Sequence, residues 1–329
     1  MYNIVMQNTN RSMDKTFLSL DSANERGIHH PDYAAHYFRW SAIMKFLRDK
    51  GRYEDAIICD VGCGKEFPLI KRLYVNRMTP KYYVGVDANK LIIPEMLIKD
   101  KVKMSCWEST DFCALSVDDV SFEGRRPNVV VFLECFEHVR SEHGRRLLKH
   151  MLEVADDDTT FFFSTPCYNG SAAGNHVAET TYLAFGALLE DLGYHIVDHF
   201  GTFASQREYK HLLRSFKHNG VEANLEPMFE RLREYYDSNV ISNIFAPLFP
   251  ANSRNVFWIL QKKKGDASNQ QRLFSALEQV PTPWSQDSNW IELSGYSHRH
   301  TEACEDRIDG ELVGNTLKCG KEGIWLGKS

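Results

Sequence analysis

The sequence predicts an α/β protein: a doubly wound, seven-stranded, mostly parallel sheet with a helical insertion before the last strand. Three observations carry this. Short β-branched or aromatic runs alternate with segments of helical periodicity, as in a parallel sheet covered on both faces. The run Ile57-Ile58-Cys59-Asp60-Val61-Gly62-Cys63-Gly64 ends in an acid and then two glycines spaced one apart, which is a buried strand entering a tight turn. Later runs also end in polar or acidic residues, and ligands of such sheets sit beyond the carboxyl ends of the strands.

Residues 1–30 are polar and mixed and read as a loosely held arm. Tyr33–Lys50 has helical spacing, with Tyr37, Phe38, Ala42, Ile43, Phe46 and Leu47 able to share a face, Asp32 placed to cap it and Gly51 to end it. Arg39 and Trp40 can reach a ligand from this helix, but an amphipathic packing helix is the simpler reading. The expected strands are Ala56–Val61, Tyr82–Asp87, Val102–Trp107, Asn128–Leu133, Thr160–Ser164, Tyr194–Phe200 and Asn255–Gln261. Helices are expected at Phe67–Val75, Ser141–Ala155 and Thr180–Leu192, the last stopping at Gly193. Asn128–Leu133 is the clearest strand, continuous and β-branched as central parallel strands are. Thr202–Arg254 interrupts the alternation with two helical stretches, near Arg207–His218 and Glu226–Asp237, rich in Arg, Lys and Tyr. Pro247 and Pro250 punctuate a loop after them. This insertion reads either as a cover over the site or as a packing extension with a solvated charged face.

The domain is therefore bounded at 31–264, followed by an extension over 265–329 where periodicity fades. His298, His300, Cys304 and Cys319 in that extension match no well-known zinc spacing. With 329 residues and 43% hydrophobic content, the chain can bury a sizeable core. A net charge of −5 argues against a protein that mainly coats nucleic acid, without excluding a local basic groove. The eight cysteines include no C-x-x-C pair, which suits a reducing cytosol, and no apolar run approaches the ~20 residues that span a bilayer. The expectation is a cytoplasmic protein with no membrane partner.

The glycine turn narrows the ligand. A dinucleotide fingerprint wants a third glycine where Phe67 stands, and the P-loop pattern is absent. An acid just before the glycines suits a cationic or amine-bearing ligand better than a pyrophosphate. Asp87 closes the second strand 27 residues after Asp60, one strand–helix–strand passage away, where a carboxylate can accept from a ribose diol. Asp60-Val61-Gly62-Cys63-Gly64 resembles the glycine-rich motif of class I S-adenosylmethionine (SAM) methyltransferases, a Rossmann-like fold. That resemblance implies that Asp60, Gly62, Cys63 and Gly64 face the methionine end of SAM, Asp87 and Ala88 the ribose, Asp111 and Phe112 the adenine, and Glu134 the methyl-bearing centre.

Glu134-Cys135-Phe136-Glu137-His138 is similar to the E-x-x-E-H segment of the ubiquinone-biosynthesis O-methyltransferases and the small-RNA 2′-O-methyltransferases. Ser164-Thr165-Pro166-Cys167 resembles their S-T-P-N segment, and Asn175-His176-Val177-Ala178-Glu179 their N-x-x-H-x-x-E region with altered spacing. The likeness covers roughly residues 50–200 and the final strand. Glu66 stands where the first motif usually has its third glycine, and Cys167 replaces a common Asn. If the turn after the strand is helical, Glu134, Glu137 and His138 at i, i+3 and i+4 project to one side and can bind a divalent ion. The resemblance implies that Glu134, Glu137, His138 and His176 hold a metal such as Mg²⁺. The alternatives are that Glu134 only anchors SAM, and that His138 or His176 acts as a general base, typically worth ~10²–10⁴-fold.

The resulting expectation is methyl transfer from SAM to an acceptor, favouring an oxygen, on a nucleic acid or polar small molecule. Two others stay open: a SAM-binding scaffold without turnover, and a nicotinamide-dependent oxidoreductase on a similar sheet. The motifs of amino-methylating and cytosine-C5 DNA enzymes are absent. Oligomeric state is not legible.

Overall fold

The structure is a computed structural model and describes residues 31–64, 67–87, 104–107, 113, 115–168, 172, 176, 178–203, 213–214, 216–218, 221–263, 291–292, 311–313 and 316–318. The expected arm at 1–30 and the residues Ala88, Asp111, Phe112, His298, His300, Cys304 and Cys319 lie outside these.

Seven strands form the main sheet: β1 (Ile57–Val61), β2 (Tyr82–Val86), β3 (Met104–Trp107), β4 (Val129–Leu133), β5 (Thr160–Pro166), β6 (Tyr194–Phe203) and β7 (Asn255–Lys262). Their order is β3-β2-β1-β4-β5-β7-β6. β1, β2, β3, β4 and β5 run parallel, while β7 is antiparallel to both its neighbours. The order reverses between β1 and β4, and a crevice at their carboxyl ends is where open α/β sheets take ligands.

Alternation along the central strands sends side chains to two separate cores. Ile57, Cys59 and Val61 join Val130, Phe132, Phe161 and Phe163 on one face, covered by α4 (Ser141–Val154) and α5 (Tyr182–Leu192). Ile58 joins Val129, Val131, Phe162 and Phe257 on the other, covered by α1 (Pro31–Asp49) and α2 (Pro68–Val75). Burial on both faces explains why these strands read as continuous apolar runs. The short helix α3 (Val117–Val120) starts with a reciprocal Ser116–Asp119 capping box.

Three expectations are corrected. Asp32 lies within α1 instead of capping it, because the helix includes Pro31, a residue tolerated in a first turn. The buried stripe of α1 runs through Ala35, Arg39, Trp40, Ile43 and Leu47, leaving Tyr37 and Phe38 exposed. The stretch expected to be helical up to His218 ends instead in an antiparallel pair, Phe216–His218 with Val221–Ala223. Asn219-Gly220 joins the two in sequence, and Asn-Gly between short strands is a strong hairpin signal that outweighs weak helical spacing.

The rest of the insertion forms α6 (Glu226–Arg233), α7 (Ser238–Phe245) and two 3-10 turns at Ala246–Leu248 and Pro250–Asn252. These have their own small core of Leu213, Phe229, Ile241, Phe245, Ala246 and Phe249. α7 packs against α1 and β6. From the extension, Ile291–Glu292 pairs antiparallel with Ala178–Glu179, and Glu311–Val313 pairs with Thr316–Lys318.

Candidate active site

The loop after β1 is held by backbone. Gly62 and Cys63 donate their N–H groups to the Val86 carbonyl at 2.7 and 3.1 Å, and Gly64 N–H donates to Asp87 Oδ2 at 2.9 Å. Gly62 and Gly64 have φ of 75° and 70°, a left-handed conformation that penalises other residues. A Cβ on Gly62 would also lie 2.9 Å from Cys135 Sγ, so this loop packs directly on the turn after β4. Phe67, where a dinucleotide fingerprint wants glycine, also has positive φ, 50°, and is buried as the N-cap of α2.

Asp60 is buried and accepts a hydrogen bond from the Tyr83 hydroxyl at 2.5 Å. Burial pushes its carboxyl up to about 7, opposed by the Tyr83 hydrogen bond and reinforced by the Asp87 charge. The Cys135 thiol is raised as well, by burial first and then by the charges of Glu137, Asp87 and Asp60. The tips of β1, β2 and β4 therefore share one electrostatic environment.

Glu134 begins the second half of the site. Its backbone is left-handed, φ 50°, and its N–H donates to the Ser164 carbonyl at 2.9 Å. Ser164 Oγ donates to Glu134 Oε1 at 2.8 Å and Asn255 Nδ2 to Oε2 at 2.6 Å. Arg39 Nη1 on α1 lies 3.4 Å from Oε1, both side chains being almost fully enclosed. Arg39 also reaches Thr202 Oγ1 at 3.5 Å and His36 Nδ1 at 3.0 Å. An arginine in the buried stripe of α1 is thus compensated by the acid at the tip of β4.

Glu134 stays outside the group of ligand atoms that converge. Residues Phe136–His138 form a 3-10 turn that begins after Glu134. Without a continuous helix from residue 134, the i, i+3, i+4 relation does not apply. Glu137, His138 and His176 do come together: a ligand atom from each lies within 4.8 Å of the others. Ligand atoms around one ion at ~2.0–2.2 Å stand roughly 3.0–3.6 Å apart, so the three would draw in by up to roughly 1–2 Å to share an ion. The His138 and His176 rings meet edge to face with centroids 5.3 Å apart, and His138 Nε2 lies 3.9 Å from Glu137 Oε1. Glu137 is buried, and burial together with the Glu134 charge holds its carboxyl well above the usual range. Thr165 Oγ1 donates to its Oε2 at 3.5 Å.

Behind His176 stands Glu179, fully buried and hydrogen-bonded to His176 Nδ1. Burial alone raises a carboxyl, but the Arg254 charge, then the His176 contact, outweigh it and bring Glu179 down to about 2. Sequence reasoning missed Arg254, Asn255 and Tyr83. Tyr83 and Asn255 sit inside strand runs where only register decides which way they point. Arg254 is 75 residues from Glu179 with no local signal.

The Methyltransferase domain family model matches residues 33–222, more than half of the chain. The chain belongs to this family. It is a SAM-dependent methyltransferase. This sets aside the nicotinamide-dependent and scaffold alternatives. No curated protein matches the sequence. Among solved structures it is similar to the small RNA methyltransferase HEN1, at 14% identity over 70% of this chain and 26% of that one, TM-score 0.45. It is also similar to magnesium protoporphyrin IX methyltransferase (ChlM) from Synechocystis PCC 6803, at 11% identity over 70% and 81%, TM-score 0.42. A third is 1,6-didemethyltoxoflavin-N1-methyltransferase from Burkholderia thailandensis, at 13% identity over 77% and 88%, TM-score 0.41. Among the described residues no helix is long and apolar enough to cross a membrane.

Proposed function

We propose that this methyltransferase acts on an oxygen of a nucleic acid or polar small molecule, beside a divalent-ion site made by Glu137, His138 and His176. The convergence of those three side chains carries the reading. Two imidazoles and a carboxylate fit an ion of the Mn²⁺, Fe²⁺, Co²⁺ or Zn²⁺ type better than Mg²⁺, which prefers oxygen ligands and retained water. A buried carboxylate beside two further acids also fits a cation. Bound there, such an ion supplies Lewis acidity that lowers the pKa of an acceptor hydroxyl.

The chain's own residues do the positioning. SAM brings a sulfonium methyl that is already activated, so alignment with the nucleophile is the main task. Asp60, Gly62, Cys63 and Gly64 hold its methionine end, Asp87 with Ala88 the ribose, and Asp111 with Phe112 the adenine. An ionised Asp60 suits the ligand's ammonium group. Glu134, fixed by Arg39, Ser164 and Asn255, shapes the wall between cofactor and acceptor and is not a ligand of the ion. A metal-free reading, in which His138 or His176 accepts the acceptor's proton, draws on the same geometry.

Two measurements test this. Calorimetry with SAM should give binding to the wild type and at least about a tenfold loss in Asp87→Ala, about 1.4 kcal/mol; equal affinity rejects the ribose assignment. Incubation with radiolabelled SAM and separate cellular RNA and small-metabolite fractions identifies the fraction that gains label. Chelation should then abolish labelling and Mn²⁺ restore it. Full labelling after chelation leaves the metal-free reading.

A further inference from the structure

His176 enters the cluster with one ring nitrogen already engaged, since Nδ1 is bonded to Glu179 Oε1. Glu179 gives both of its oxygens to Arg254, with Nη1 to Oε2 and Nη2 to Oε1 each at 2.7 Å. A carboxylate that accepts from both prongs of a guanidinium is ionised and has no proton to donate. The proton in the His176–Glu179 bond therefore sits on the imidazole. A neutral imidazole with its proton on Nδ1 offers its lone pair at Nε2.

Arg254 is itself fixed from several sides. Its N–H donates to the Phe203 carbonyl at 2.8 Å, and its carbonyl accepts from Cys167 N–H at 2.6 Å. Its Nη1 also donates to the Cys167 carbonyl at 2.5 Å. One residue thus ties together the chain just after β5, the end of β6 and the start of β7. It is also the last residue of the 202–254 insertion, so the angle of the His176 ring depends on where that insertion rejoins the sheet.

A simple staple would explain the Arg254–Glu179 pair but not why Glu179 also bonds His176. We propose that Glu179 and Arg254 are positioning residues that hold His176 as its Nδ1–H tautomer, with Nε2 presented toward Glu137 and His138. The inference rests on reading those three side chains as an ion site and adds the two residues that set the ligand's tautomer and ring angle. Partners of this kind are worth ~10–100-fold in metal affinity.

The test uses the full-length chain labelled with ¹⁵N. Long-range ¹H–¹⁵N spectra of the imidazoles, assigned with His176→Gln, report which nitrogen carries the proton, with no metal or SAM added. The expected result is the Nδ1–H tautomer for His176 in the wild type. In Glu179→Gln the amide can turn its NH₂ toward Nδ1, and the population should move to Nε2–H. Mn²⁺ titration should weaken by ~10–100-fold in Glu179→Gln and by less in Arg254→Lys, with SAM affinity unchanged. A wild-type His176 protonated on Nε2, or a Glu179→Gln variant that binds Mn²⁺ like the wild type, overturns the inference. A wild type that binds neither Mn²⁺, Co²⁺ nor Zn²⁺ rejects the ion site, while the tautomer spectrum still decides the role of Glu179. If the variants do not fold, the wild-type spectrum decides alone.

Discussion

The two halves of the site are built by different means. On the side proposed for the cofactor, Asp60 to Gly64 and Asp87 form a loop and a strand tip joined by hydrogen bonds from backbone N–H groups, with glycines supplying the left-handed turns. On the side proposed for the acceptor, Arg39, Glu134, Ser164, Glu179, Arg254 and Asn255 come from distant parts of the chain and hold one another by side chains. A backbone-built site tolerates side-chain variation around its glycines. A site built from buried charges does not, because removing one partner leaves the other uncompensated.

The largest expected effect follows from that difference. Arg39→Ala leaves Glu134 buried without its counter-charge and should cost about 3–5 kcal/mol in urea unfolding. The double variant Arg39→Met/Glu134→Gln should recover a large part of it. A loss below about 1 kcal/mol would mean that Ser164 and Asn255 suffice, and that the acceptor side is no more fragile than the loop.

Gly62→Ala probes the other half. It forces a residue with a Cβ to φ 75° and puts that Cβ 2.9 Å from Cys135 Sγ. A cost of about 1–3 kcal/mol is expected, read as lost stability and weakened SAM binding in calorimetry. A larger penalty than that of Arg39→Ala would reverse the contrast.

The smallest effect, counted per pH unit, is a pH dependence. Asp60 has a folded-state pKa near 7, above its unfolded value of about 3.9. Its contribution is fully present below about pH 4 and is lost as pH rises toward 7, with a slope of at most about 1.4 kcal/mol per pH unit. Glu179, lowered to about 2, contributes oppositely: its stabilisation is present above about pH 4.5 and fades as pH falls through 2. Stability of the SAM-free protein measured from pH 5 to 8 should therefore show a falling component that Asp60→Asn removes. An unchanged profile in that variant would show that Asp60 ionises normally.

Much of the cofactor side was legible because its signals are local. A strand, an acid and two glycines are contiguous, and Asp87 follows at the distance one strand–helix–strand unit requires. The acceptor side was legible only in its parts. Glu137, His138 and His176 were named as ligands, yet Glu134 was grouped with them by assuming a helix where the chain makes a left-handed turn and a 3-10 turn. The hairpin at Phe216–Ala223 was misread although Asn219-Gly220 marks it. α7 was not anticipated, since its buried face is matched to the insertion's own small core and to α1.

The sequence by itself determined the alternation of strands and helices, the glycine turn and the acids that close β1 and β2. These depend on period, backbone conformation and spacing within one unit. Tertiary structure alone decided that Arg39 neutralises Glu134 and that Arg254 grips Glu179 behind His176. Desolvated charges must find partners wherever the fold brings them, and pairs separated by 75 residues or more leave no mark on local sequence.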